Sequence, residues 1–450
     1  MRILLLILLL ISGVQSQTHH VVQLTKDNFK RPVEPSIAIN PANPDNIIGA
    51  SIRYGDMDAG ETRVVNLRYH SRDGGKTWTI AEEINADQRP QGDDGMTFSA
   101  DGIAYHSFIA LRGLRTNARK ANGIWLTYSE KDTDKWHGPV KIVDHVNTMR
   151  PFEDKPFPVV DNAPGSPHHG NVYISWTRFD GYDSRVPGDS SQIYFSRSED
   201  GGKTFDPPFR ISDVGGDCLD SDYTVEGAVP AAGLNGEVYV SWSGPRGLIF
   251  DKSLDGGKTF GKDKVLTELV GGWDQDIAGI SRCNGFPITK VDLSNSDYRG
   301  TVYVNWTDER NGDPDVFVMY SRDGGESWSK HVRVNDDPIF NGKAQFFTWM
   351  AVDPVDGAVN IVFYDRRHFD DTTTEIYLAR SVDGGQTFRN HKISKVAPFK
   401  CFKDVFFGDY IGVDAYNGRI AAIFQTFTSE KNTAISAATF NFKPGTQETN

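Results

Sequence analysis

Hydrophobic and polar residues of this 450-residue chain alternate over short stretches, and the pattern is clearest over residues 157–211. An apolar run, FPVVD, is followed there by a turn, the alternating segment GNVYISW, a loop, a second alternating segment QIYFSRS and a final short segment FRIS. Alternation with a period of two is typical of β-strands. Residues 157–211 therefore predict four successive strands.

The turn between the third and fourth of these strands recurs along the chain as an octapeptide. Its copies are SRDGGKTW at 71–78, SEDGGKTF at 198–205, SLDGGKTF at 253–260, SRDGGESW at 321–328, SVDGGQTF at 381–388 and a decayed SEKDTDKW at 129–136. The Asp can accept backbone N–H bonds across a turn, the glycines permit positive φ, and the closing aromatic ring packs back onto the sheet. The opening serines lie about 62 residues apart on average, which predicts a repeat architecture.

Seven units of this length fit the chain after residue 16. They begin near Glu34, Asp94, Asp154, Glu226, Gly285, Gln345 and Phe407. Four strands per unit is typical of a propeller blade. The last unit supplies only three strands, whereas HHVVQLTKD at 19–27 resembles the fourth strands FRISD, VRVND and HKISK. We therefore predict an all-β, seven-bladed β-propeller closed by an N-terminal strand at residues 19–26, with six blades as the alternative.

The N-terminal segment resembles a secretory signal peptide. Arg2 precedes nine apolar residues, and small residues follow at 14 and 16, which predicts cleavage before Gln17. Nine residues are too few to cross a bilayer as a helix, and no later run is long enough. We expect a signal peptide at 1–16, one propeller domain at 17–445, a tail at 446–450, and secretion or a periplasmic location. The alternative is a retained N-terminal anchor.

The balance of acidic and basic residues limits the classes of partner that this protein can bind. The chain has 48 basic and 60 acidic side chains and a net charge of −12. General nucleic-acid binding and binding to an anionic membrane both need a positive field, so we expect neither. We expect no cofactor, since no phosphate-binding loop or zinc motif is visible in the sequence. We also expect the protein to be a monomer.

The octapeptides resemble the Asp boxes of the sialidase-like BNR-repeat superfamily. Segments such as GGWDQDIAGISRCNGFPIT and VFYDRRHFDD are also similar to secreted bacterial proteins described as exo-α-sialidase-like. The resemblance implies a glycan-active propeller whose active site lies on the face opposite the boxes. Sialidases, however, have six blades and an Arg-Ile-Pro segment, for which Arg31-Pro32-Val33 and Arg210-Ile211-Ser212 are the nearest matches, so their catalytic residues cannot be transferred.

Arginine recurs where the second predicted strands end, on the face that the resemblance makes functional. The candidate substrate-binding residues are Arg53, Arg178, Arg246, Arg310, Arg366 and Arg367. Guanidinium groups bind carboxylates in a bidentate manner, which favours an acidic sugar as the ligand. The alternative is that each arginine pairs with a neighbouring carboxylate, such as Asp308 or Asp365, and fixes a loop.

Acidic residues begin several inner strands, and we expect them to form a ring around the axis. The predicted ring comprises Glu34, Asp94, Asp154, Glu226 and Asp409, with Lys155 beside it. Such carboxylates repel unless Lys155, water or a bound cation offsets them, so a cation in the central channel stays an alternative. The candidate catalytic residues are His106, Asp308, Glu309, Asp365 and Tyr410, and for His106 a buried core position is the alternative.

The cysteines lead to one further expectation. Cys218 and Cys283 lie in loops entering adjacent blades on one face, which predicts a disulfide between them and a free Cys401.

Together these features predict a secreted glycosidase of the sialidase type that acts on acidic glycans. The alternatives are a non-catalytic propeller that binds a glycan or a protein, and a lyase that cleaves uronic-acid polymers.

Overall fold

The chain folds into seven antiparallel β-sheets arranged as a ring. The computed structural model describes residues 19–26, 28–54, 64–82, 89–112, 122–148 and 150–447. Over these ranges it contains 29 strands and no helix. The first strands of successive blades contact one another around the axis, and the ring closes where the seventh blade meets the first. The predicted seven-bladed, all-β propeller is confirmed, and the six-bladed alternative is wrong. No helix in the described part of the chain could span a membrane.

Each blade is built from strands that follow one another in the chain. Blade 1 contains β2 (Lys30–Ile39), β3 (Ile47–Tyr54), β4 (Val64–Ser71) and β5 (Thr79–Glu82). Blade 2 contains β6 (Arg89–Phe98), β7 (Ala104–Leu111), β8 (Gly123–Ser129) and β9 (Trp136–Asp144). Blade 3 contains β10 (Phe152–Val160), β11 (Val172–Phe179), β12 (Ser191–Ser198) and β13 (Phe209–Arg210). Blade 4 contains β14 (Glu226–Ala232), β15 (Val238–Gly244), β16 (Gly247–Ser253) and β17 (Lys264–Thr267).

The remaining blades follow the same order. Blade 5 contains β18 (Ile288–Val291), β19 (Val302–Asp308), β20 (Asp315–Ser321) and β21 (Val332–Arg333). Blade 6 contains β22 (Gln345–Val352), β23 (Val359–Asp365), β24 (Thr373–Ser381), β25 (Arg389–Lys392) and β26 (Phe399–Lys400), the last pairing with β24. Blade 7 contains β27 (Gly412–Tyr416), β28 (Arg419–Ser429), β29 (Asn432–Asn441) and β1 (His19–Gln23).

The N-terminal strand closes the ring, as predicted. Strand β1 pairs antiparallel with β29, from His19 opposite Phe440 to Gln23 opposite Ser436. Beyond the strand, Leu24 is buried in the core of this blade, where Ile435 is a neighbour. The last blade thus joins the two ends of the chain.

The Asp boxes are hydrogen-bonded turns between third and fourth strands. Asp255 Oδ1 accepts hydrogen bonds from the backbone N–H groups of Lys258 and Thr259 at 3.0 and 2.9 Å, and its Oδ2 accepts one from Thr259 Oγ1 at 2.6 Å. Gly256 and Gly257 have φ values of 71° and 79°. The closing Phe260 packs edge-on against Phe195 of the preceding blade at 4.9 Å. The box therefore fixes its own turn and also joins two blades.

A β-bulge interrupts the inner strand of five blades near its first residues. In each one, two inner-strand residues face a single residue of the second strand. The first residue of each bulged pair has a positive φ; these residues are Glu34, Asp93, Lys155, Gly227 and Phe347. A left-handed backbone is uncommon for residues other than glycine, and a bulge redirects the side chain that it carries. The bulges thus place three charged side chains at equivalent positions of blades 1 to 3.

All three cysteines are free and buried, so the predicted bridge between Cys218 and Cys283 is wrong. Cys218 packs with Phe152 and Trp176, whereas Cys283 lies in a separate core cluster that also contains Cys401. Loops that enter adjacent blades on one face still deliver their side chains into different hydrophobic cores.

We expect removal of residues 19–26 to lower the free energy of unfolding by several kcal/mol, because the ladder and packing of β1 are lost. Thermal unfolding of this deletion variant measures the effect, with a chain beginning at His19 as the matched control. An unchanged melting temperature would show that the N-terminal strand does not close the ring.

Candidate functional site

A buried ammonium group occupies the axis at the end of the ring opposite the Asp boxes. Lys155 Nζ lies 2.9 Å from Asp154 Oδ2, 2.6 Å from Glu226 Oε1 and 3.1 Å from Asp409 Oδ2. These carboxyl groups come from blades 3 and 4 and from the loop that enters blade 7. The lysine side chain is only 4% exposed. We use the name axial cluster for Glu34, Asp93, Asp154, Lys155, Tyr182, Asp220, Glu226, Arg282, Asp409 and Tyr410.

Arg282 brings a second cation to the axial cluster from the loop that enters blade 5. Its Nε donates to Asp409 Oδ1 at 2.9 Å, and its Nη2 contacts the other oxygen of the same carboxylate. Its Nη1 contacts Asp220 and lies 3.3 Å from the Tyr182 hydroxyl, which itself donates to Asp220 Oδ2 at 2.5 Å. The Arg282 side chain is 27% exposed, so it is partly accessible to solvent.

Burial drives the protonation states of the cluster apart. Burial raises the pKa of Glu34 to about 8, and the nearby charge of Asp409 adds to the shift. Burial raises the pKa of Asp93 and of Glu226 well above the usual range, with Asp154 adding for Asp93 and Lys155 opposing for Glu226. At neutral pH the Glu34 carboxyl group is therefore largely protonated.

Asp220 and Lys155 are held in their ionised forms. Burial acts to raise the pKa of Asp220, but the charges of Arg282 and Lys155 outweigh it and lower the value. Burial also acts to lower the pKa of Lys155, yet Asp154, Glu226 and Asp409 raise it well above the usual range. Carboxyl groups with raised pKa values and a carboxylate with a lowered pKa value thus lie in one cluster, which is the arrangement that general acid–base catalysis uses.

Four of the five residues predicted for the acidic ring belong to the axial cluster, and Asp94 does not. The bulge shifts the register of β6, so the side chain of Asp93 faces Asp154 and Glu34. The side chain of Asp94 points instead into the space between two neighbouring blades. Asp94 Oδ1 contacts His106 Nε2 at 2.5 Å and accepts a hydrogen bond from Asn66 Nδ2 at 2.6 Å. His106 is fully buried and occupies the core position that was its alternative.

Of the predicted catalytic residues, only Tyr410 lies in the axial cluster. It packs against Phe157, with ring centroids 5.3 Å apart, and burial together with the charge of Glu34 raises its pKa well above the usual range. Asp308 is fully buried and accepts a hydrogen bond from Trp306 Nε1 at 2.9 Å. Asp365 is also buried. Glu309 follows Asp308 in the loop after the second strand of blade 5 and lies near Asp222.

The recurring arginines are held within their own blades by a shared arrangement. Arg178 Nε donates to Glu153 Oε1 at 2.8 Å, and its guanidinium lies 3.8 Å from the ring centroid of Tyr194. Arg310 and Arg367 pair in the same way with Asp308 and Asp365, each over an aromatic ring of the third strand. Arg53 pairs with Glu82 and lies over Phe29.

The two other arginines also lie apart from the axial cluster. Arg366 is buried against Phe346 and donates to Thr374 Oγ1 at 3.1 Å. Arg246 is exposed at the hairpin between β15 and β16, near Asp263. The repeated position of arginine thus has a structural explanation in most blades, and binding of substrate by these side chains stays a prediction.

Comparison with known proteins agrees with the repeat. Residues 319–330 match the family model of the BNR/Asp-box repeat. The propeller thus contains a BNR/Asp-box repeat. No curated protein matches its sequence. Among solved structures, a protein of unknown function from Dyadobacter fermentans is 12% identical, with a TM-score of 0.51 over 93% of this chain and 97% of the other. That likeness supports the fold of the propeller.

Two further solved structures resemble this propeller more weakly. The NanB sialidase of Streptococcus pneumoniae is 10% identical, with a TM-score of 0.49 over 93% of this chain and 94% of the other. A polysaccharide lyase of family PL25, an ulvan lyase, is 13% identical, with a TM-score of 0.47 over 90% and 94%.

Sequence reasoning missed three members of the axial cluster of this propeller. The sequence analysis predicted Asp94 for the acidic ring in place of Asp93, because the position of a bulge cannot be located from the alternation of hydrophobic and polar residues alone. Arg282 and Asp220 lie in the long loops that enter blades 5 and 4, where strand periodicity gives no position. The segment GGWDQDIAGISRCNGFPIT, which carries part of the family resemblance, contains Arg282. The length of the two loops was a further signal, since long ordered loops often carry function.

We expect the stability of the propeller to fall as the pH rises from about 5 to 8, because of Glu34. Its pKa is about 8 in the folded chain and 4.5 without burial, so within this window the folded state keeps a proton that the unfolded state has lost. Each pKa unit corresponds to about 1.4 kcal/mol, which makes the effect on the order of a few kcal/mol. Glu34→Gln should weaken this dependence by the share due to Glu34, while the raised pKa values of Asp93 and Glu226 keep the remainder.

Chemical denaturation at pH 5, 6.5 and 8 measures this pH dependence of the free energy of unfolding. The control is Asp297→Asn, which changes an exposed residue on the Asp-box face. If the wild type and Glu34→Gln lose the same stability across this range, Glu34 is not the buried acid described here.

Proposed function

We propose that the axial cluster is the active site of a secreted glycosidase that acts on glycans bearing an acidic sugar. The observation that carries this proposal is the pair formed by Glu226 and Asp220. Their pKa values are driven in opposite directions at the solvent-facing end of the axis. Secretion rests on the predicted signal peptide at 1–16, which lies outside the described residues.

The roles follow from the two environments. Glu226 is fully buried and its pKa is raised well above the usual range, which makes it the candidate general acid that protonates the leaving oxygen. Asp220 is ionised and its side chain is 12% exposed, which makes it the candidate base or nucleophile. Glycosidases commonly use such a pair of carboxyl groups on either side of the scissile bond. The Tyr182 hydroxyl and Arg282 orient Asp220 through their contacts with it.

The preference for an acidic sugar rests on Arg282. Its guanidinium pairs with Asp409 and Asp220, yet its side chain is 27% exposed, more than the side chains of Arg178, Arg310 and Arg367, which are 12–15% exposed. A carboxylate of the substrate can approach its exposed side and form charge-assisted hydrogen bonds.

Exposed aromatic rings on the same face fit a sugar ligand. Tyr223 and Phe340 are 68% and 71% exposed, in loops that join a fourth strand to the next inner strand. Large aromatic side chains present a broad apolar surface against which a ring-shaped ligand can pack. Their place on the same face as the axial cluster supports a glycan over a charged small molecule without apolar faces.

A uronate lyase is the second candidate, favoured by the contact between Arg282 and the Tyr182 hydroxyl at 3.3 Å. Arg282 would neutralise the uronate carboxylate and Tyr182, as the phenolate, would remove the C5 proton. The bond from C4 to the leaving oxygen would break, a double bond would form between C4 and C5, and a carboxyl group of the axial cluster would protonate the leaving oxygen. Burial and the charge of Asp220 raise the pKa of Tyr182 far above neutrality, which opposes its use as a base. The hydrolase is therefore the better-supported reaction.

We expect the purified protein to release sugars from sialylated or uronate-containing glycans but not from neutral ones. Glu226→Gln and Asp220→Asn should each lower kcat by about a hundredfold or more, the usual contribution of a general acid or base. Arg282→Lys should mainly raise KM for the acidic substrate. Mass spectrometry of the products and circular dichroism of each variant provide the measurements.

Asp297→Asn is the matched control, since it removes an exposed carboxylate on the opposite face. Products that carry a new carbon–carbon double bond would establish the lyase instead. Binding of these glycans without any product would establish a non-catalytic propeller, and full activity of Glu226→Gln would exclude the assignment of the acid.

A further inference from the structure

Two aspartates face each other across the outer strands of blade 4. Strands β16 and β17 pair with Phe250 opposite Lys264, so Asp251 and Asp263 occupy the next facing positions of the two chains. Side chains at facing positions of an antiparallel pair lie on the same side of the sheet. Like charges directly opposite one another are destabilising, so this pair needs a compensating charge.

Each of the two carboxyl groups has one oxygen bonded to backbone N–H groups and one oxygen left over. Asp251 Oδ1 accepts hydrogen bonds from the N–H groups of Lys252 and Gly261 at 2.7 and 3.1 Å. Asp263 Oδ2 accepts one from the N–H group of Asp213 at 3.0 Å. Asp251 Oδ2 and Asp263 Oδ1 are buried and have no hydrogen-bond partner among the described residues. Backbone contacts thus fix both carboxyl groups, while one oxygen of each stays available.

The pair faces blade 3, where a third carboxylate lies. Ile249, two residues before Asp251 and on the same side of β16, packs in one core cluster with Ile211 of blade 3. Asp213 follows the fourth strand of blade 3, and its Oδ2 accepts a hydrogen bond from the N–H group of Asp263 at 3.0 Å. Asp251 is only 3% exposed. The negative charges are therefore confined to the boundary between blades 3 and 4.

The basic side chains nearby, within the described ranges, reach neither free oxygen. Lys262 Nζ lies 3.0 Å from Asp213 Oδ1, and its side chain is 88% exposed. Arg246 is exposed and acts on Asp263 only at longer range. Burial raises the pKa of Asp251 to about 6, and the charge of Asp263 adds to the shift. This agrees with a carboxyl group that has no cation in contact.

Two free carboxylate oxygens in a buried, electronegative position match a hard divalent cation. Ca²⁺ prefers oxygen ligands and accepts irregular geometry, whereas Mg²⁺ requires a nearly ideal octahedron. The described residues hold no group of three or more His, Cys, Asp and Glu side chains suited to a metal ion, so water completes the coordination shell. Few charged ligands place a calcium site at the weak end of the usual range, with a Kd of about 0.1–1 mM.

We propose that Asp251 Oδ2 and Asp263 Oδ1 bind one calcium ion at the boundary between blades 3 and 4. The ion supplies the counter-charge of the pair and links the two outer strands of blade 4, while Asp213 adds negative charge without being a ligand. Asp263 also binds the backbone of Asp213, near the start of the loop that carries Asp220 to the axial cluster. The site does not depend on the glycosidase proposal.

Isothermal titration calorimetry of the chelator-treated protein with calcium chloride tests the site. We expect at least about tenfold weaker binding to Asp251→Asn and to Asp263→Asn, because each variant loses a charged ligand. Asp297→Asn is the matched control, since it removes the same charge from an exposed position, and it should bind Ca²⁺ like the wild type. Equal affinity of the wild type and both ligand variants, or no binding by the wild type at about 10 mM Ca²⁺, would overturn the proposal.

The melting temperature provides a second readout. About 10 mM Ca²⁺ should raise that of the wild type by at least about 1 °C, because the ion binds the folded state, and should leave that of Asp251→Asn unchanged. Without Ca²⁺, Asp251→Asn should be at least as stable as the wild type, since the amide oxygen keeps the backbone hydrogen bonds and an uncompensated charge disappears. A clear loss of stability would mean that the protein already compensates this carboxylate, which would also overturn the proposal.

Discussion

Burying several carboxyl groups around one narrow axis is unfavourable unless a cation lies among them, and in this propeller the side chain of Lys155 supplies that cation. Its ammonium contacts carboxyl groups of Asp154, Glu226 and Asp409, which belong to blades 3, 4 and 7. A single buried charge costs several kcal/mol, and the cost is offset only when close partners surround it. Blades far apart in the sequence are thus joined by one electrostatic contact at the axis.

In this repeat protein, the turns that stabilise the fold and the residues of the candidate site lie at opposite ends of the ring. The Asp boxes fix the turns at one end of the ring and join neighbouring blades, as Phe260 does against Phe195. The bulges of the inner strands lie at the other end and turn Glu34, Asp93 and Lys155 towards the axis. The arginines that end the second strands follow the same repeat, and most of them neutralise a carboxylate and cover an aromatic ring within one blade. A recurring residue in a repeat protein thus need not point to a shared ligand.

The fold could be predicted because its signals are local. The octapeptides and the alternating strands each act over a few residues, and the match of the N-terminal segment to the other fourth strands revealed how the ring closes. The site depended on long-range geometry that alternation does not encode. One bulge exchanged Asp94 for Asp93, two loops supplied Asp220 and Arg282, and separate hydrophobic cores kept Cys218 and Cys283 apart.

The most direct test of this account is the free energy of unfolding of Lys155→Met at neutral pH, with and without Asp154→Asn. If the ammonium holds the axial carboxyl groups together, Lys155→Met should lose about 3–5 kcal/mol, as expected when one member of a buried ion pair is removed. Adding Asp154→Asn should then recover at least about 1 kcal/mol, because one uncompensated charge disappears. Effects of the two substitutions that simply add, or a Lys155→Met variant as stable as the wild type, would contradict the account.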